Sequence, residues 1–274
     1  MSEQPGVRGG AWFEALTGQS SPMQGDPGSV LTADAKLGDE QARFLCVVPN
    51  PQARFPCARR AEVGLEEAYT LATRVLQVVE QDEKEKRRPI IAIVDVKSQA
   101  YGRREETAGI FLAAAASADA YASARMKGHP VITLVVGQAI SGGFLTHGYQ
   151  ANRILAFDDS GVVIHAMHKE AAARITLRTV ADLERLGHEI APLSYDIRDY
   201  ARLGLLHKLL HVENPDTPSQ ATVALVKKEL IEAVTDARAG SRDLSNRFNS
   251  EGARQTRKAG LRARAQMEQE WATV

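Results

Sequence analysis

The sequence lacks the features typical of secreted, membrane-spanning and nucleic-acid-binding proteins. Its 274 residues include only two cysteines, Cys46 and Cys57, which form no C-x-x-C motif and do not indicate a secreted disulfide framework. Lys and Arg total 34, as do Asp and Glu, so the formal net charge is zero, without the basic excess typical of nucleic-acid binders. No apolar run reaches 18 residues, and MSEQPGVRGG contains no apolar signal segment, so we expect a cytoplasmic protein.

Composition divides the chain into three parts. Residues 1–40 are rich in Gly, Pro, Ser, Gln and Asp, which predicts a flexible N-terminal arm whose Trp12 and Phe13 could dock as a helical turn. Residues 41–240 are expected to form one domain. Residues 241–274 are polar and basic, and are predicted to be a C-terminal tail.

Within the central part, apolar strand-like runs alternate with helical patterns. The runs RFLCVVPN (43–50), IIAIVDV (90–96) and VITLVVG (131–137) predict buried strands. Residues 65–79 carry apolar side chains at spacings of three and four, which predicts a helix, and the Ala-rich stretch before Gly128 predicts another. This alternation predicts an α/β fold with parallel strands joined by crossover helices.

From about residue 171 the pattern becomes mainly helical. Thr179 and Asp182 are predicted to cap the helix TVADLERLGHEI. Asp216 or Thr217 is expected to cap a later helix, ATVALVKKELIEAV, with Pro218 in its first turn.

A glycine pair at a strand-to-helix turn is the main candidate for chemistry. The strand 131–137 ends in Gly137, and Gly142 and Gly143 stand where the next helix is expected to begin. Backbone N–H groups at a helix start can stabilise a negatively charged oxygen, as in an oxyanion hole. The pair is equally compatible with tight packing of the helix on the strand.

The surrounding residues resemble the crotonase superfamily, and more closely its carboxyltransferase branch. PVITLVVGQAISGGFLTHGYQANRILAF follows the pattern strand, Gly-x-[AS]-x-x-Gly-Gly, helix, strand, and IVDVKSQAYGRREETAGI is similar to the upstream part of that branch. Biotin-using members usually read Asp-x-Pro-Gly-Phe where this chain has Asp95-Val96-Lys97-Ser98-Gln99. In this departure, and in SYDIRDYARLGLLHKLL, the chain is similar to malonate decarboxylase gamma subunits; the resemblance covers roughly residues 43–212.

The resemblance implies an α/β, crotonase-like ββα superhelix of the carboxyltransferase C-terminal-domain type. It also implies an obligate heterodimer with a homologous beta subunit. Together the two subunits are expected to convert malonyl-S-acyl carrier protein to the acetyl thioester and CO₂. The implied further partners are an acyl carrier protein subunit, whose prosthetic group is of the phosphoribosyl-dephospho-CoA type, and an acyl carrier protein transferase (alpha) subunit. No directly bound cofactor and no biotin are expected. Two alternatives are a subunit of a biotin-dependent acyl-CoA carboxyltransferase and a non-catalytic scaffold.

Motif positions give the candidate site. The catalytic candidates are Ser141, Gly142 and Gly143, and the substrate-binding candidates are Lys97, Ser98, Gln99, Gly102, Gln138, Ala139 and His165. The 97–99 segment could equally be a solvated loop. Two other readings are less favoured: a hydrolase pair of Ser141 with His147, which lacks a G-x-S-x-G elbow, and a zinc site at His165 and His168, which lacks further ligands. No metal is expected.

Overall fold

The computed structural model describes residues 6–82 and 87–272, which form an α/β fold. The strands are β1 (Val30–Leu37), β2 (Glu40–Val47), β3 (Glu62–Val63), β4 (Ile90–Val96), β5 (Ser98–Gln99), β6 (Val131–Ile140), β7 (Arg153–Phe157), β8 (Val163–His165) and β9 (Lys208–Leu210). The helices are α1 (Val7–Thr17), α2 (Leu65–Gln81), α3 (Arg103–Thr107), α4 (Ile110–Lys127), α5 (Ser141–Thr146), α6 (Lys169–Thr176), α7 (Val180–Glu189), α8 (Ile197–Arg202), α9 (Gln220–Ala239), α10 (Asn246–Asn249), α11 (Glu251–Thr256) and α12 (Lys258–Trp271).

Seven of these strands form one sheet in the order β1-β2-β4-β6-β7-β9, with β8 paired to β6 beyond the end of β7. The β1–β2 pair is antiparallel, and every other pair in this sheet is parallel, as the alternation of strands and helices predicted. All seven residues of β4 are buried, which explains its continuous apolar sequence. The short strands β3 and β5 pair in parallel to form a separate sheet beside the end of β4.

The N-terminal segment contributes α1 and β1 to the core, so the prediction of a flexible arm over residues 1–40 is wrong for Val7–Thr17 and Val30–Leu37, whereas residues 18–28 are largely exposed. Trp12 and Phe13 do dock as part of a helix, as predicted. In α1, the side chains of Trp12, Phe13 and Leu16 are buried, and β1 forms the edge strand of the sheet. Arg8 forms ion pairs with Asp159 at 2.8 Å and Asp216 at 2.9 Å. These long-range contacts hold α1 in place. Residues 1–5 lie outside the described part of the chain.

The C-terminal region is not uniformly a tail. The guanidinium group of Arg247 is buried and donates to the carbonyl oxygens of Tyr149 at 2.7 Å and Ala151 at 2.8 Å. Ala253 in α11 is fully buried. By contrast, α12 contains no buried residue. Only this last helix has the exposure that was predicted for residues 241–274.

One of the two predicted helix caps is confirmed and the other is wrong. Thr179 caps α7, because its hydroxyl accepts from the N–H of Asp182 at 3.1 Å. The predicted cap of α9 is wrong: the cap is Ser219, which accepts from the N–H of Thr222 at 3.2 Å. Asp216 instead pairs with Arg8, a partner far away in the sequence.

Candidate active site

The carboxyl ends of three parallel strands meet at one place. Val96 pairs with Ala139, and Ile140 pairs with His165, so the ends of β4, β6 and β8 are adjacent. The segments that follow β4 and β6 are residues 97–99 and 141–143. The structure therefore brings most of the candidate residues predicted from sequence to one edge of the sheet, where α/β proteins commonly bind ligands.

Asp95 organises the ends of β4 and β6. Its carboxylate oxygens accept from the N–H of Gln138 at 3.0 Å and the N–H of Gly9 at 3.2 Å. A Cβ atom on Gly137 would lie 2.5 Å from Cγ of Asp95, so glycine is needed there. Burial raises the pKa of Asp95, and the backbone N–H donors oppose that rise. Its contacts lie within the protein backbone, so we assign it a structural role.

Gly143 allows the start of α5 to approach the backbone of β5. A Cβ atom built on Gly143 would lie 2.5 Å from the carbonyl carbon and oxygen of Ser98. Real side chains do not come so close to another backbone. The tight-packing interpretation of the glycine pair therefore holds for Gly143, and a side chain there would strike the protein itself.

Gly142 has a different environment. Its N–H donates to the side-chain Oε1 of Gln99 at 2.8 Å. A Cβ atom on Gly142 would lie 3.0 Å from Cδ and Oε1 of Gln99, which belong to a flexible side chain. The Gly142 N–H therefore donates to an oxygen atom of the Gln99 side chain. Because that side chain can move, the N–H can become available to another acceptor.

Ser141 occupies a strained backbone position at the turn between β6 and α5. Its φ is +58°, in the left-handed region that non-glycine residues seldom adopt. Such strain costs of order 1–3 kcal/mol and is often found at functional sites. Ser141 is half-buried and follows Ile140, the residue paired with His165.

The Lys97–Gln99 segment is an ordered part of the fold and not a solvated loop. Ser98 is buried, and its hydroxyl donates to the carbonyl oxygen of Gln99 at 2.8 Å. The segment pairs with β3, where Glu62 lies opposite Ser98. His168 Nε2 donates to the carbonyl oxygen of Lys97 at 3.0 Å. These contacts hold the Gln99 side chain beside Gly142.

His165 lies against an aromatic ring. Its imidazole stacks on Tyr195 with centroids 3.8 Å apart and 14° between the planes. Burial lowers the pKa of His165, while a hydrogen bond with the backbone of Met167 opposes the shift. A neutral imidazole is therefore favoured at pH 7. In the described ranges, no group of three His, Cys, Asp or Glu residues could hold a metal ion, which removes the support for a zinc site at His165 and His168.

The hydrolase pair is not supported, because His147 is in the core. Its ring lies 3.0 Å from the hydroxyl of Tyr121 through Nδ1 and 2.9 Å from the carbonyl oxygen of Ile93 through Nε2. Burial lowers the pKa of His147 to about 4. With both ring nitrogens engaged, His147 cannot serve as a base for Ser141.

Three other candidates differ in their positions. Gln138 is half-buried, and its Oε1 has no hydrogen-bond partner among the described residues. Ala139 is fully buried between β4 and β8, so its side chain contributes to packing. Gly102 is exposed at the start of α3. Of the three, Gln138 is the one whose side chain has a polar atom, a buried amide oxygen, without a protein partner in the part of the chain that the structure describes.

Exposed apolar side chains lie on α5, on the neighbouring helix α4 and just before α3. Phe111 and Leu112 in the first turn of α4 are 64 % and 65 % exposed, and Leu145 in α5 is 52 % exposed. Tyr101, which precedes α3, is also exposed, and α4 contacts both α3 and α5. We call these four residues the apolar rim. Sequence reasoning did not identify it, because a helix with apolar residues on all sides shows no polar face to orient it.

Comparison with known proteins identifies the family. The family model for the malonate decarboxylase gamma subunit, MdcE, matches residues 58–271. The chain belongs to the malonate decarboxylase gamma subunit family. It is similar to a chain in the crystal structure of a Pseudomonas malonate decarboxylase hetero-tetramer in complex with coenzyme A, with 50 % identity and a TM-score of 0.91, covering 96 % of this chain and 99 % of that one. A chain of the Pseudomonas MdcD–MdcE hetero-dimer matches at 50 % identity over the same shares of both chains, with a TM-score of 0.88.

More distant relatives are carboxyltransferases. The chain is 36 % identical over 165 residues to the malonyl-S-ACP:biotin-protein carboxyltransferase MADD of Malonomonas rubra, a match that spans 58 % of this chain and 56 % of that protein. The transcarboxylase 12S structure shares the fold, with 16 % identity and a TM-score of 0.58 over 78 % of this chain and 36 % of that one. The family, the carboxyltransferase-type crotonase fold and the class of carboxy-lyase subunit agree with the sequence prediction. None of the described helices is long and apolar enough to cross a membrane.

Proposed function

We propose that this protein is the gamma subunit that forms, with a homologous beta subunit, the site where malonyl-S-acyl carrier protein is decarboxylated to the acetyl thioester and CO₂. The observation that carries the proposal is the match at 50 % identity over 99 % of a chain from a Pseudomonas malonate decarboxylase. A cytoplasmic location is part of the same proposal.

The arrangement of residues at the strand ends supports the proposal that this subunit forms one side of such a site. The malonyl head ends in a free carboxylate, and a fixed backbone N–H can hydrogen-bond one of its oxygens and hold it in position for the loss of CO₂. The N–H of Gly142 is such a donor, and it is already paired with an amide oxygen, that of Gln99. An oxygen atom of the malonyl group takes the same place when the Gln99 side chain turns away. Gln99 is then both a lining residue and a competitor for the donor.

The other polar residues of the site have supporting positions. Ser141 and His165 are half-buried at adjacent strand ends, and Gln138, also half-buried, can donate hydrogen bonds from its side-chain amide nitrogen. We assign the binding of the malonyl head to these side chains and to Gln99. Gly143 has a packing role in this scheme, and the donor function is assigned to Gly142, whose N–H already pairs with an oxygen atom. The gamma subunit is proposed to face the carboxylate that leaves, and the beta subunit the thioester carbonyl.

The apolar rim supports the position of the beta subunit. Phe111 and Leu112 lie on α4, which contacts α5, the helix that begins with Ser141 and Gly142. Apolar side chains of this exposure lose contact with water when a partner covers them. A beta subunit seated there would close the site from the other side. We expect an interface larger than the standard size of about 1,600 Å² in total.

The thioester carrier is proposed to come from outside this chain. An acyl carrier protein subunit with a prosthetic group of the phosphoribosyl-dephospho-CoA type would present the malonyl group, after an alpha subunit has loaded it by transfer. One similar structure was solved in complex with coenzyme A, which supports a pantetheine-bearing arm. No cofactor bound directly to this chain and no biotin are required.

A biotin-dependent carboxyltransferase subunit is the second candidate, because MADD, at 36 % identity, is a biotin-protein carboxyltransferase. That match covers 56 % of MADD, whereas the Pseudomonas match covers nearly the whole chain. The pair co-purified with its beta subunit should form acetyl thioester from malonyl thioester at the same rate with and without avidin. Inhibition by avidin would support the biotin-dependent candidate. Full turnover by the beta subunit alone would support a scaffold.

A further inference from the structure

A large cavity lies at the opposite edge of the sheet from the candidate active site. Its volume is about 880 Å³, and it is lined by residues that precede β4 and β6, among them Arg88 and Pro130. It also borders the β1–β2 turn, the end of α4 and the end of α9. The two edges are separated by the length of β4, which has seven residues and is about 20 Å long at roughly 3.3 Å per residue. A ligand in this cavity does not touch the proposed malonyl site.

Arginine dominates the wall of this cavity. Five arginines line it, and two have carboxylate partners among the described residues: Arg238 pairs with Glu40 at 2.6 Å, and Arg88 pairs with Asp82 at 2.9 Å. His129 also lines it, and burial lowers its pKa, so its imidazole is neutral at pH 7.

The other three arginines, Arg87, Arg125 and Arg242, form no ion pair with a carboxylate within residues 6–82 and 87–272. Arg125 is buried and donates to the carbonyl oxygens of Gln150 at 2.9 Å and of Arg242. Arg242 donates to the carbonyl oxygen of Met126 at 3.2 Å. The remaining carboxylate of the wall is Asp39, on the β1–β2 turn.

Part of this positive charge caps α4. The carbonyl groups at a helix C-terminus favour nearby cations, and the hydrogen bond from Arg242 to the carbonyl oxygen of Met126 in α4 fits that role. Capping does not account for Arg87. The guanidinium groups of Arg87 and Arg242 both lie over Gly128, where a Cβ atom would meet each of them. Two like charges held side by side repel each other unless an anion lies between or beside them.

We propose that this cavity binds a compact anion with at least two negative charges, held by Arg87 and Arg242 with Arg125 behind them. Guanidinium groups donate paired N–H bonds that match phosphate and carboxylate oxygens. No Phe, Tyr or Trp of the described residues lines the cavity, so there is no surface on which a nucleotide base would stack. The ligand class is therefore a small polyphosphate or polycarboxylate.

The test is calorimetric titration of the complex of this protein with its beta subunit, using inorganic pyrophosphate and citrate as separate probes. One of them should bind, and Arg87→Ala should weaken its binding by about tenfold or more, as expected for loss of a charge-assisted hydrogen bond. Arg242→Ala should weaken it similarly. Arg262→Ala removes the same charge from exposed helix α12 and should leave the affinity unchanged.

Tighter binding of pyrophosphate would identify a phosphorylated ligand, and tighter binding of citrate a polycarboxylate. The proposal is overturned if neither probe binds at millimolar concentration, or if Arg87→Ala and Arg242→Ala bind as well as wild type. Should Arg87→Ala fail to fold, Arg242→Ala decides alone, because Arg242 is exposed. Decarboxylation by the variants is measured in parallel. Normal turnover with lost anion binding separates this proposal from the proposed function.

Discussion

Replacing Gly143 with alanine tests the separation of roles within the glycine pair. The new Cβ atom would lie 2.5 Å from the carbonyl carbon and oxygen of Ser98, both of which belong to backbone fixed by the β3–β5 pairing. An ordinary contact needs at least 3.4 Å, so the start of α5 must move by about 1 Å. Overpacking of this kind typically costs about 1–3 kcal/mol of unfolding free energy.

Gly142→Ala is the matched control, because its Cβ atom would meet only the movable side chain of Gln99, at 3.0 Å. Its cost should be below about 1 kcal/mol. At about 2–4 °C per kcal/mol, thermal unfolding should show a fall of roughly 2–12 °C for Gly143→Ala and little change for Gly142→Ala. Equal unfolding temperatures for Gly143→Ala and wild type would refute the packing role. Turnover and complex formation are measured on the same preparations.

Three further predictions concern Gln99, the apolar rim and the core histidine. Gln99→Glu should raise the KM for the malonyl thioester by about tenfold, because a carboxylate holds the Gly142 N–H more strongly than an amide does; an unchanged KM would remove Gln99 as a competitor. Leu112→Asp should dissociate the heterodimer in sedimentation at micromolar concentration, whereas an intact complex would place the beta subunit elsewhere. The pKa of His147 is lowered to about 4 in the folded protein from an ordinary 6.5, so its contribution to stability is present above pH 6.5 and lost as pH falls toward 4, by about 1.4 kcal/mol per unit. His147→Gln should flatten that part of the stability profile; an unchanged slope would contradict the assignment.

The fold was largely predictable because its signals are local. Buried parallel strands have short apolar sequences such as IIAIVDV. The crossover helices can be recognised from their helical periodicity or from their high Ala content. The Thr179–Asp182 cap also depends on neighbouring residues alone. The position of α1 could not be read in this way, because Arg8 is held by Asp159 and Asp216, which are distant in the chain.

The candidate site was predictable as a location but not as a set of roles. The motifs placed Gln99 and Gly142 after the ends of two buried strands, and the strand pairing shows that these two ends are adjacent. The role assigned to each glycine depends on a contact between segments: the Gln99 side chain accepts from the N–H of Gly142, and the Ser98 backbone lies close to Gly143. Neither contact can be recognised in the sequence, because glycine allows the close approach of a ligand and of another backbone segment equally well.

The central claim is that this subunit supplies half of a decarboxylation site. It is tested most directly by adding the purified protein to a fixed amount of its beta subunit and measuring CO₂ release from a malonyl thioester. The account predicts negligible release by either subunit alone, and a rate that rises with added protein and saturates at one gamma subunit per beta subunit. Full CO₂ release by the beta subunit alone, with no further increase on addition of this protein, would contradict it.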